Sequence, residues 1–159
     1  MRPPVNRSYF LKSVAAAALT ISFAMPSLAA EKGTKAEAEA LAAKAVAHIK
    51  SAGPEKAFAD FTNGPAWKDR DLYVFVYDMN GKCVAHGANP KLVGKDLLEL
   101  KDPDGKPVVK MFIDVAKEKG KGWTDTIKFR NPTNDKVQQR INYVVRTGDY
   151  VVGTGVYPD

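Results

Sequence analysis

Two histidines and one cysteine are the whole stock of imidazole and thiol chemistry in this 159-residue chain. His48, Cys83 and His86 form no metal-ligand spacing. There is no Gly-x-Ser-x-Gly elbow, no glycine-rich phosphate loop before a helix and no Cys-x-x-Cys-His haem site. Carboxylates are plentiful, but none lies in an apolar setting that would mark a general acid. Enzymatic catalysis is therefore not expected, and no cofactor or metal is implied. The remaining residues of chemical interest suit binding. Tyr73, Phe75 and Tyr77 alternate, so they share one face of a strand while Val74 and Val76 share the other. Such a stripe serves as core, but buried tyrosine hydroxyls need partners. His86 closes the next strand, where its ring nitrogens either bond backbone or face a ligand. Trp123 stands beside Gly120 and Gly122 and presents an apolar face with one N–H, for a pocket wall or for core packing. His48, next to Ile49 on a helix, reads as structural. Cys83 has no partner for an internal disulfide and reads as a small buried apolar group.

The elements that must position these residues are legible from periodicity. Residues 34–50 form a helix: Thr34 and Glu37 make a capping box, and Ala38, Leu41, Ala42, Ala45 and Ile49 recur at helical spacing. Pro54 opens a second helix over 54–61. Residues 72–78 and 82–86 are strands joined by Asn80-Gly81, a strong hairpin signal. A turn cluster at 87–90 leads to an apolar segment, 92–100, expected to hold a helical turn or two. Residues 107–119 form an amphipathic helix that Gly120 caps. Three further strands are expected at 122–130, 137–146 and 150–156, joined by turns. This order predicts an α+β fold. A five-stranded antiparallel sheet has helices on one side and the first helix packed alongside. The crossover between strands two and three lies over a sheet face, and a small ligand fits between them.

The first 29 residues read as a secretory leader. Residues 1–12 are basic, residues 13–25 are apolar and Ala-rich, and Ser27 and Ala29 supply the small positions of a cleavage site after Ala29 or Ala30. The apolar run is short for a spanning helix of about 20 residues. Arg2, Arg7 and Lys12 account for three of the formal net charge of +6, so the mature chain carries +3. That charge is mild and not clustered with aromatics, so nucleic acid is not an expected partner. Residues 30–159 make one exported domain, periplasmic or secreted, that stands on its core without disulfides.

Six pieces in order carry a family resemblance: residues 73–78 (YVFVYD), 86–95 (HGANPKLVGK), 102–107 (DPDGKP), 121–123 (KGW), 143–150 (YVVRTGDY) and 153–157 (GTGVY). Together they resemble the single Cache domains of extracytoplasmic bacterial sensors. The resemblance implies a PAS-like sheet with a pocket for a small metabolite, often a short-chain carboxylate. It also implies a membrane receptor or kinase as partner. Unlike family members set between two membrane helices, this sequence ends at Asp159 without a second apolar segment, which points to ligand capture rather than direct transmembrane signalling. The resemblance places a basic residue and a tyrosine near Arg140 and Tyr143, where family members more often carry lysine. Arg140 is the candidate for bidentate carboxylate pairing; the alternative is a solvated surface arginine. Spacing puts Arg140 and Tyr143 on opposite faces unless a bulge intervenes. The expected pocket is therefore lined by Tyr73, Phe75, His86, Trp123, and Arg140 or Tyr143. The competing expectation is a structural or interaction protein of the cell envelope whose pocket its own side chains fill.

Overall fold

The structure, a computed structural model, describes residues 31–158. The expected leader and its cleavage site lie outside the described residues.

Helix α1 (Lys35–Ala52) starts where the sequence predicts, with Thr34 and Glu37 capping each other reciprocally. Its buried side is Ala38, Ala42, Ala45 and Ile49, small residues that let the helix lie close on the sheet. Gly53, at φ 84°, turns the chain directly into α2 (Pro54–Asn63). A short ladder of β1 (Lys68–Asp69) and β2 (Leu72–Tyr73) follows, then the hairpin of β3 (Phe75–Asp78) and β4 (Cys83–His86). The Asp78 carboxylate accepts the Asn80 and Lys82 N–H groups, both at 2.9 Å, and fixes that turn. Gly81 is required there: its φ is 94°, and a Cβ would stand 2.6 Å from Cβ of Leu98. The expected single strand 72–78 breaks at Val74 because the chain changes partners, from β1 to β4 and β8.

The crossover 87–107 holds only a 3-10 turn at Pro90–Leu92 and two isolated bridges, instead of helical turns over 92–100. Helix α3 (Val108–Lys119) ends at Gly120, whose φ of 74° suits the predicted cap. The expected third strand is two strands, β5 (Lys121–Trp123) and β6 (Ile127–Arg130). Both pair with the long β7 (Val137–Thr147), and β8 (Tyr150–Val156) completes the sheet. The order is β4-β3-β8-β7-β5, all antiparallel, with β6 also on β7. Counting the split strand twice gives six strands rather than five.

The break has a local cause. Between β5 and β6 the pairing offset against β7 moves by one residue, a bulge at 124–126. There Thr124 exchanges bonds with Asn142: its N–H donates to the Asn142 carbonyl at 2.8 Å, and its hydroxyl accepts the Asn142 N–H at 3.2 Å.

Helices cover both faces of the sheet, not one as predicted. Val74, Val76, Ala85 and Val152 pack against α1 and α2, through Ala45 and Phe61. Tyr73, Phe75, Tyr77 and Val144 pack against α3, through Val109 and Phe112. The predicted alternation of residues 73–77 is therefore observed. It separates two cores because each face has its own helical cover. Among the described residues, no helix is long and apolar enough to cross a membrane.

Candidate functional site

Among the described residues, the aromatic face holds the one fully buried cation. Arg140, on β7, is 1% exposed and pairs with no carboxylate among the described residues. Its guanidinium is surrounded by rings: Tyr73 at 4.3 Å, Tyr157 at 5.1 Å, and Phe75 and Phe129 each at 5.8 Å from Cζ. Cation–π attraction partly replaces the lost water. Nη1 donates to the hydroxyls of Tyr73 and of Tyr157, the latter at 3.2 Å. The Tyr157 hydroxyl in turn donates to the Arg130 carbonyl at 2.8 Å, which fixes its lone pairs toward Arg140. Burial works against the charge, and the Tyr73 and Tyr157 oxygens more than offset it, so the guanidinium stays charged.

Nε and Nη2 of Arg140 have no hydrogen-bond partner among the described residues, and neither has Nδ2 of Asn142, two residues along the same face. Three unpaired buried donors, one group of them cationic, meet at one place. Leaving a buried donor unpaired costs about 1–3 kcal/mol, more for a charged group. Nearly all buried polar groups are paired, so such a cluster needs an explanation. Gly155 on β8 makes the arrangement sterically possible: a Cβ there would lie 2.3 Å from Arg140 Nε and 2.4 Å from Asn142 Oδ1. Gly153 does the same for the Phe75 ring, which a Cβ would meet at 2.2 Å.

His86, 3% exposed, accepts the Asn89 N–H at Nδ1 (3.0 Å), so its proton sits on Nε2 as a donor. Burial, then the Arg140 charge, holds its pKa down to about 3. It is a neutral donor at ordinary pH. Tyr77, its pKa raised by burial, is a neutral phenol. These groups line a cavity of about 10 Å³, closed on the apolar side by Val108, Phe112, Ile127 and Phe129. Outside it lies a cleft of about 460 Å³ between the crossover and the β6–β7 turn, and the two spaces share Tyr73, His86 and Phe129 as walls. The set pairs cationic and neutral donors with an apolar wall and includes no acid. Chemically it suits a small anion with a short carbon skeleton.

The structure thus brings together Tyr73, Phe75, His86 and Arg140. It does not bring Trp123 or Tyr143. Trp123 donates from Nε1 to Glu39 Oε1 of α1 at 2.8 Å and lies tilted against Tyr143, 5.3 Å between ring centres, on the α1 face. The bulge explains this. Strand β7 runs in regular register, so Tyr143 stays opposite in parity to Arg140. The extra residue at 124–126 turns Ile127, instead of Trp123, toward the pocket. Asn142, Tyr157, Gly155 and Phe129 are additions that the sequence reading lacks. Parity from Arg140 locates Asn142, whereas Tyr157 and Phe129 depend on tertiary placement.

The other two residues of chemical interest are structural. His48 Nε2 meets Asp60 Oδ2 at 2.7 Å and ties α1 to α2. Cys83 is fully buried, and burial pushes its thiol up to about 11. Among the described residues, no group of three or more His, Cys, Asp or Glu side chains could hold a metal ion.

Comparison with known proteins agrees with this architecture. The family model Single Cache domain 2 matches residues 9–159. The sensor histidine kinase MctS of Rhizobium johnstonii is 35% identical over 92 residues, which are 57% of this chain and 20% of the kinase. The chain thus spans about one-fifth of that relative's length. A methyl-accepting chemotaxis protein from Vibrio parahaemolyticus, known by crystal structure, is 28% identical with a TM-score of 0.68, covering 79% of this chain and 88% of that one. A Cache chemosensory domain described for carboxylic acid recognition shares the fold at 22% identity, with a TM-score of 0.62 over 76% of this chain and 86% of that one.

Proposed function

Because the chain belongs to the Single Cache domain 2 family of sensory ligand-binding modules, we propose that it is an exported protein that captures one small monocarboxylate beside Arg140. On this reading the first 29 residues are removed on export, residues 30–159 form the working domain, and a membrane receptor or kinase reads the loaded state. The protein performs no catalysis. The observation that carries the reading is the cluster of unpaired buried donors, Nε and Nη2 of Arg140 and Nδ2 of Asn142. Nε and Nη2 form one edge of the guanidinium fork, which matches the two oxygens of a carboxylate. Nη1, on the other edge, is held by two tyrosine hydroxyls, so the fork is pre-oriented. Among the described residues Arg140 is the only cation lining the cavity, which favours one carboxylate over two. The carboxylic acid recognition described for a domain of the same fold accords with this choice.

A thermal-shift panel tests it. Acetate and propanoate should raise the melting temperature, and at 100 times the dissociation constant a ligand adds about 2.7 kcal/mol. Propionamide, neutral and of the same shape, should not, and succinate should do so less. Equal shifts with propionamide and propanoate would reject the charge-based reading.

The cavity size favours a second reading, a cell-envelope interaction protein whose pocket is filled by its own side chains. About 10 Å³ is room for roughly one water centre. A panel in which no small metabolite moves the melting temperature would select that reading.

A further inference from the structure

The three side chains that wall the inner cavity from the outer cleft are Tyr73, His86 and Phe129. They are not equally fixed. Tyr73 is held at its hydroxyl by Arg140. His86 is held at Nδ1 by the Asn89 N–H. Phe129 has no hydrogen bond to hold its ring, and it is only half-buried. It sits on β6, four residues long, which pairs with β7 alone. Beside it the Lys128 N–H is bound to Asp102 Oδ2 at 2.9 Å, so the β6 backbone is pinned to the crossover and freedom remains in the ring. The ring's position is the critical one: its centre is 5.8 Å from Arg140 Cζ on one side, and it faces the cleft on the other.

We infer that Phe129 is the specificity-determining residue of the site, the side chain that separates the anion chamber from the outer cleft and limits the ligand's carbon skeleton to a short one. This rests on the carboxylate reading above. A carboxylate held at Arg140 directs its chain either against the enclosed wall of Val108 and Phe112 or outward against Phe129. The outer cleft has an apolar side of Ala88, Leu92, Leu100 and Pro132, beside the polar Asn89, Arg130 and Asp135, and that apolar side can receive further methylenes once the ring is removed. Each methylene buried there should tighten binding roughly fourfold. With the ring in place those methylenes have no space, because the ring lies between the chamber and the cleft.

The test is calorimetric titration of the purified parent and of Phe129→Ala with the unbranched series from acetate to hexanoate. The parent should bind acetate or propanoate best and hexanoate at least tenfold more weakly. In Phe129→Ala acetate should weaken several-fold, since a wall is lost, and hexanoate should tighten at least tenfold, so the order inverts. Phe129→Leu should fall between and covers the case in which the alanine variant loses its cooperative unfolding transition. An unchanged chain-length profile in the variants, with the parent binding short acids, would overturn the role of Phe129 alone. A parent that already prefers hexanoate would overturn it too. A parent that binds no member of the series would overturn the carboxylate reading itself.

Discussion

Both faces of the sheet bury an apolar core, but they treat their polar groups differently. On the α1–α2 face His48 meets Asp60, Trp123 meets Glu39, and the Thr154 hydroxyl reaches the Ala38 carbonyl. These polar groups end in partners, although nearby Asp71 Oδ2 has none among the described residues while its Oδ1 accepts the Gly33 N–H at 2.6 Å; the rings of Phe61 and Trp67 pack edge to face, 4.6 Å between centres. On the α3 face, among the described residues, a cation is buried without an anion and three donors have no partner. The first pattern is what stability alone produces. The second is costly for a folded chain and is tolerated where a ligand completes it. Each face therefore predicts a different response to mutation.

The largest effect on stability belongs to the satisfied face. Phe61→Ala, at a fully buried position, should lower the unfolding free energy by about 3–5 kcal/mol in urea titration, and the folded fraction should keep its ligand affinity. The largest effect on binding belongs to the other. Arg140→Met should weaken carboxylate binding roughly a hundredfold or more, since losing a charged partner costs a few kcal/mol. The ligand-free protein should lose little stability, because the apolar chain removes two buried donors that have no partner among the described residues. A marked loss of stability in that variant would make Arg140 a structural residue and erase the contrast. Gly155→Ala should reduce binding at least tenfold, as its Cβ would displace both Arg140 and Asn142. Asn142→Ala should cost about 1–1.5 kcal/mol of binding, close to tenfold, by calorimetry. The smallest binding effect should follow Trp123→Phe, which touches only the α1 side.

His86 sharpens the comparison through pH. Its folded pKa is held near 3, below the ordinary 6.5, by burial and then by Arg140. The unfolded chain therefore takes up a proton that the folded chain refuses. The stability this contributes is complete above pH 6.5 and is lost as pH falls from about 6.5 toward 3. Urea unfolding at stepped pH should show the loss, with a slope approaching 1.36 kcal/mol per pH unit, and His86→Gln should remove most of it.

The contrast between faces was partly legible in the sequence. The capping box at Thr34 and the cap at Gly120 are local signals, and both appear as expected. Alternation in residues 73–77 separates the two cores correctly. The bulge at 124–126 was not legible, because it depends on Thr124 meeting Asn142, 18 residues away in sequence. That single inserted residue decides that Trp123 faces α1 while Ile127 lines the pocket. Two helical covers instead of one were likewise hidden, since Val74 and Val76 read as half-buried or buried alike in a strand apolar throughout. Tyr157 and Phe129 come from strands whose neighbours periodicity cannot name.

On the binding face, the Arg140 fork is proposed to meet a carboxylate. The most direct measurement is the ¹⁵N-edited NMR signal of the Arg140 Nε–H group, assigned by its loss in Arg140→Met. A buried N–H without a partner should resonate upfield of a hydrogen-bonded one, and adding propanoate should move it downfield and slow its exchange with solvent. If propanoate at saturation leaves that signal where it was, the carboxylate is not at Arg140 and the account of the site is wrong.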